Sequence, residues 1–113
     1  MRPELSPSQV VTVFRSRLRP DANPAYGELA AAMEAIARQA PGFVDFKAFT
    51  APDGERVSLI TFTTAEAQRA WRDDPRHRQA QRRGREEFYL EYSIQVTDCV
   101  DVRQWEADPP ASD

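Results

Sequence analysis

The chain holds one cysteine, Cys99, one histidine, His77, and one lysine, Lys47, in 113 residues. A single thiol excludes a disulfide framework and a cysteine-built zinc site, and points to a reducing cytoplasm. One imidazole excludes a histidine cluster for a metal. The four glycines form neither a phosphate-cradling loop nor a dinucleotide fingerprint. No metal, flavin or nicotinamide is therefore expected. No apolar run approaches the roughly 20 residues of a membrane span. The opening MRPELSPSQ has no apolar centre and does not read as a secretory signal. A net charge of −3 argues against a general nucleic-acid binder. Seven arginines stand against two acids between Arg69 and Arg85, but Glu86 and Glu87 follow directly, and the run reads as a solvated helix face.

Hydrophobic residues make up 41% of the chain and charged residues 29%, the profile of a single small globular domain. The domain is placed at 10–104, with 1–9 and 107–113 as loose termini. Val10–Leu18 alternates with period two and is rich in β-branched residues, as a strand does. Asn23 reads as a helix cap and Pro24 as a first helical residue. A helix then runs to about Ala40, its apolar stripe being Tyr26, Leu29, Met33, Ile36, Ala37 and Ala40. Pro41-Gly42 ends it.

Phe43–Thr50 and Val57–Phe62 read as a hairpin about the turn Ala51-Pro52-Asp53-Gly54. Thr63 and Glu66 read as a capping box opening a second helix. That helix is interrupted at Asp74-Pro75 and restarts to about Phe88. The last strand alternates Leu90, Tyr92, Ile94 and Val96 against polar residues, with extended character expected through Val102.

The order β-α-β-β-α-β is the ferredoxin-like plan of the α+β class: a four-stranded antiparallel sheet with its helices on one face. Apolar residues occupy both phases of the first three strands: Val11 and Val13 against Phe14, Phe46 against Phe49, Leu59 against Ile60. Both faces call for cover, and a homodimer joined sheet to sheet would supply it.

Several side chains admit a functional and a structural reading. His77, Ala80, Gln81, Gly84 and Phe88 share one helix face at spacings of three and four. They form either the wall of a pocket, with His77 as acid, base or hydrogen-bond donor, or a helix packed tightly through Gly84. Trp71 is either a flat aromatic wall with one N–H to offer or a core residue. In an unbroken helix Trp71 and His77 would stand about 120° apart; the Asp74-Pro75 break lets both rings converge on one cavity. Ser16 and Ser58 are either two hydroxyls directed into that cavity or ordinary strand serines, and without a base partner neither is read as a nucleophile. Cys99 has nothing adjacent to activate it.

The stretch from Ala70 to Tyr92, AWRDDPRHRQAQRRGREEFYLEY, resembles the A-W-x-x-x-x-x-H-x-x-A-Q-x-x-G-R-x-x-F-Y-x-x-Y signature of the antibiotic biosynthesis monooxygenase family. Pro41-Gly42-Phe43 and the opening from strand to helix are similar to that family as well. The likeness spans about Val10 to Arg103. It implies a dimeric α+β barrel with a pocket between sheet and helices in each subunit. It further implies either oxidation of polyketide-type phenols by O2 without a cofactor, or heme binding and degradation. In heme-degrading members a tryptophan in this helix is followed ten residues later by an iron-ligating histidine; here the pair is Trp71 and Gln81, and glutamine is a poor iron ligand. Their first-strand asparagine falls on Ser16. The asparagine and tryptophan of the quinone-forming members fall on Ser58 and Phe62. Arg85, after the signature glycine, would tie the helix end to the sheet.

The sequence thus leads to a cofactor-independent monooxygenase acting with molecular oxygen on a small aromatic or polyketide-like substrate. In this reading Trp71, His77 and Ser16 are catalytic, and Ser58, Phe62, Gln81, Gly84 and Phe88 contact the substrate. The alternatives are a non-catalytic ligand-binding dimer of the same fold and, more weakly, a heme protein.

Overall fold

The computed structural model describes residues 3–22 and 24–108. The expected cap at Asn23 and the tail beyond residue 108 lie outside the described residues. Strand β1 spans Val10–Leu18, helix α1 Ala25–Gln39, β2 Phe43–Thr50, β3 Arg56–Phe62, α2 Ala65–Arg72, α3 Pro75–Glu87 and β4 Tyr89–Asp98. The four strands form one antiparallel sheet in the order β2-β3-β1-β4, the ferredoxin-like arrangement.

Register sets which side chains meet the helices. Thr12 pairs with Ile60 and Val96, Phe14 with Ser58 and Ile94, Ser16 with Arg56 and Tyr92, and Phe46 with Ile60. Because side chains alternate between faces, these residues share the helix side and Val11, Val13, Val57, Leu59 and Phe49 share the other. A first core joins Ala37, Ile60, Phe62 and Trp71; a second joins Leu29, Ala80 and Phe88. The α1 stripe thereby finds its partners, with Leu29 and Ala37 buried.

Local chemistry fixes the corners. Gly42 stands at φ 82°, and a Cβ there would come within 2.6 Å of the Ala67 Cβ, so glycine is required by both backbone and space. The cap of α2 is Thr64, which accepts from the Ala67 N–H at 3.0 Å, not Thr63 as expected; the backbone turns extended one residue later. The interruption at Asp74 is complete. Asp74 accepts from the Arg76 N–H at 2.8 Å with Pro75 in the first turn, making two helices. Arg85 donates to the Tyr92 hydroxyl at 3.1 Å and so joins α3 to β4.

The last strand ends at Asp98 rather than Val102 because its neighbour runs out. Cys99 exchanges backbone bonds with Gln9 and Ser8, and Ser8, at φ 75°, turns the chain away. The end of the N-terminal arm is thereby held to the sheet, and Gln9 is buried.

Candidate functional site

Between the helices and the sheet lies a cavity of about 350 Å³, within the range of small-molecule sites. Its floor is β1, β3 and β4 through Thr12, Phe14, Ser58, Ile60, Ile94 and Val96; α1 contributes Tyr26 and Met33, and the α2–α3 segment contributes Gln68, Trp71, His77 and Gln81. Small residues on α1, Ala30 and Ala31, leave the space a leucine stripe would fill.

The break between α2 and α3 brings two rings together. Trp71 and His77 have centroids 4.3 Å apart at 41°, and Trp71 also packs on Phe62 at 5.2 Å. Both are nearly excluded from solvent. His77 Nδ1 lies 3.4 Å from the Arg72 carbonyl oxygen. A carbonyl only accepts, so this contact puts the imidazole proton on Nδ1 and leaves Nε2 as the basic nitrogen. Burial, the largest influence, lowers the His77 pKa below its usual 6.5, outweighing the Arg72 carbonyl and the Asp74 charge. The ring is therefore neutral at pH 7. The Trp71 indole N–H is buried without a partner among the described residues, and such an orphan costs about 1–3 kcal/mol. Buried Gln68 donates weakly to Thr12 Oγ1 at 3.4 Å.

An aromatic cluster forms another part of the wall. Tyr89 meets Phe14, Tyr26 and Tyr92 at 5.5, 5.8 and 5.6 Å. The Tyr26 and Tyr89 hydroxyls lie 3.5 Å apart, at the limit of a hydrogen bond. Burial, reinforced by that hydroxyl, drives the Tyr89 phenol far above its ordinary value; it is a proton donor, not a phenolate.

Of the residues singled out from sequence, Trp71, His77, Ser58 and Gln81 line the cavity together. Ser16 is buried on the same sheet face, one pairing step beyond Ser58, and is not a lining residue. Phe62 and Phe88 are fully buried in the two cores. Gly84 faces the Tyr89 ring, where a Cβ would clash with the nearest ring carbon, so its smallness seats Tyr89 rather than widening the cavity directly. Sequence reasoning missed Tyr26, Gln68, Arg56 and Tyr89. The usable signals were Gln68 three residues before Trp71 and Arg56 in phase with Ile60 and Phe62.

The described residues hold no group of three or more metal-ligating side chains, and no described helix is long and apolar enough to cross a membrane. The heme-ligand position carries Gln81. The sole histidine is stacked on Trp71 with Nδ1 engaged. These residues do not fit a histidine-ligated heme.

The fold resembles that of Rv0793 from Mycobacterium tuberculosis, with a TM-score of 0.75 and 23% identity over 86% of this chain and 100% of that one. It also resembles SnoaB, a cofactor-independent oxygenase from Streptomyces nogalater, with a TM-score of 0.70 and 19% identity over 89% and 99% of the two chains. In sequence the chain is 27% identical to the Bacillus subtilis protein YqjZ over 84 residues, 74% of each chain. Residues 9–83 match the model of the antibiotic biosynthesis monooxygenase family. With sheet order, helix signature and family model in agreement, the chain belongs to the antibiotic biosynthesis monooxygenase family.

Proposed function

We propose that the protein is a cofactor-independent monooxygenase that oxidises a small electron-rich aromatic substrate with O2. The observation that carries this reading is the neutral His77 stacked on Trp71 in a mostly apolar cavity. An anthrone-type substrate loses a proton to His77 Nε2. Its anion transfers an electron to O2, the resulting radicals combine to a peroxide, and loss of water leaves a carbonyl. One CH2 and one O2 thereby become one C=O and one H2O. The protein supplies a base, exclusion of water and donors for the developing anion. The unpaired Trp71 N–H and the Gln68 and Gln81 carboxamides are the donors on hand. A substrate oxygen accepting from Trp71 would satisfy that buried group.

Ser58 and Gln81 contact the substrate in this scheme. Ser16, Phe62, Gly84 and Phe88 shape the cavity from behind. The activity of the Streptomyces nogalater neighbour supports the scheme by analogy of fold. The active form is a homodimer in the cytoplasm, consistent with the second apolar face of the sheet and the lone cysteine.

Oxygen consumption with anthrone tests the reading. Wild type should consume O2 and form anthraquinone, and His77→Ala should lose about 10²–10⁴-fold in kcat, the usual share of a general base. An anthrone complex without oxygen uptake would make the protein a binding module instead.

A further inference from the structure

A second, smaller cavity has no role in the scheme above. It is a pit of about 130 Å³ between the end of α1 and α2, lined by Ile36, Ala40, Pro41, Ala67 and Ala70 together with buried Trp71, and no strand contributes to it. Pro41, Ala70 and Arg76 are exposed, so the pit opens to solvent. Trp71 also lines the main cavity, and one indole is therefore common to the walls of both. Gln39, Asp74 and Arg76 complete the lining. The Asp74 and Arg76 charges pair with each other at 3.0 Å, which leaves an ionic ligand little to bind. The volume lies well below the about 300–1,000 Å³ of organic-ligand sites, and this excludes a ring-bearing substrate. A small apolar hollow instead admits a small apolar molecule, because water finds few hydrogen-bond partners there. The hollow exists because Ala40, Ala67 and Ala70 are small; a leucine at Ala70 would fill it.

We propose that this pit is a dioxygen site, from which O2 passes Trp71 into the main cavity. A substrate seated between helices and sheet fills the space through which it entered, and its co-substrate then needs a separate approach. O2 is diatomic, uncharged and apolar; it asks for apolar contact and no hydrogen bond, which is what the pit offers. Passage past Trp71 requires only side-chain motion of the indole, whose neighbours in the pit, Ala67 and Ala70, are small. Binding and passage change no bond; O2 is reduced by the substrate anion in the main cavity. The route rests on the monooxygenase reading, whereas occupancy of the pit by O2 does not.

Dissolved O2 is paramagnetic and speeds the nuclear relaxation of methyl groups it visits, which tests the site without turnover. Ala32 is an exposed α1 residue that lines neither cavity. In protein with isotopically labelled alanine methyls under O2 pressure, Ala40, Ala67 and Ala70 should relax at least about threefold faster than Ala32, because an apolar hollow concentrates an apolar gas. Ala70→Leu fills the pit from an exposed helical position that suits leucine. It should bring Ala40 and Ala67 to the Ala32 level, with circular dichroism confirming the fold. In anthrone oxidation the same variant should raise KM for O2 at least about threefold and leave KM for anthrone within about twofold. Wild-type pit methyls that relax no faster than Ala32 would overturn the site, whatever the variant does. Enhancement abolished in Ala70→Leu with an unchanged KM for O2 would overturn the route and leave the monooxygenase reading standing. Enhanced pit methyls in a wild type that consumes no oxygen would overturn that reading, and the route with it, but not the site.

Discussion

At the scale of single residues, His77 carries the most testable chemistry. Its folded pKa lies below 6.5 because burial disfavours the imidazolium. The unfolded state therefore binds the proton first as pH falls. Stability associated with the neutral ring is present above about 6.5 and is lost as pH falls from there through the folded value. The acid limb of kcat/KM for oxygen uptake should likewise lie below 6.5, since it reports the free enzyme's base. A limb at or above 6.5 would remove His77 from that role. Gly84 gives a second prediction. A Cβ there would stand well inside contact distance of Tyr89, whose ring is enclosed by Phe14, Tyr26 and Tyr92 and cannot swing clear. Gly84→Ala should destabilise by about 1–3 kcal/mol in urea unfolding and should weaken binding of any ligand that touches Tyr89. Unchanged stability would mean that the cluster yields. These residues differed in legibility for a physical reason. His77 and Trp71 announced themselves by rarity and by the proline between them. Tyr26 read as one more member of an apolar stripe, because periodicity separates inward from outward positions but not a packed interior from a hollow one. Gly84 was recognised as special, yet only the three-dimensional neighbour shows whether its missing Cβ makes room for a ligand or for a tyrosine.

At the scale of elements, the break between α2 and α3 sets the site. Asp74 caps, Pro75 starts the new helix, and the re-aimed turn brings the two rings to 4.3 Å. Replacing both residues by alanine should let α2 continue into α3 and separate Trp71 from His77. Imidazolium quenches indole fluorescence on contact. Wild-type emission should therefore show a pH step below 6.5 that the double variant lacks; an identical step in both would show that the break does not control the pair. The capping assignment is separable as well. Thr64→Ala should cost about 1 kcal/mol of stability, whereas Thr63→Ala, which removes no cap bond, should stay within about 0.5 kcal/mol. The strands were legible almost to the residue, because β-branched alternation and the Pro41-Gly42 and Asp53-Gly54 punctuation mark where pairing starts and stops. The expectation for β4 ran past Asp98 because strand propensity is local. The length of a strand is decided by its neighbour, and beside β4 that neighbour begins at Val10. The cap moved by one residue for a similar reason: Thr63 and Thr64 are chemically equal, and only the extended backbone at Thr64 selects between them.

At the scale of the whole molecule, the sheet has a face the helices do not cover. Register puts Val11, Val13, Val57, Leu59 and Phe49 there, with Val13 directly paired to Leu59 at its centre and Phe49 half exposed. A solvated sheet face would ordinarily alternate to polar side chains, and the helix face already holds Phe14, Ile60 and Phe46. A chain of this size gains from burying a second layer, and two such faces packed about 10 Å apart would form one. Light scattering on an eluting peak should therefore give about twice the chain mass of 12.9 kDa. Val13→Asp places a charge at the centre of that face. In a dimer it would be buried against the partner's apolar face, twice over, since a two-fold interface uses the same patch on both subunits. The variant should elute at the single-chain mass while keeping its circular dichroism, because a charge on a solvated strand face of the separated subunit is tolerated. Wild type at the single-chain mass, or Val13→Asp at the dimer mass, would mean that this face is left to water. The cavity lies on the opposite side of the sheet, so anthrone binding then decides a further point. Retained affinity in the separated subunit means that each chain closes its own site; lost affinity means that sheet packing holds Phe14, Ser58 and Ile60 in the register the ligand needs.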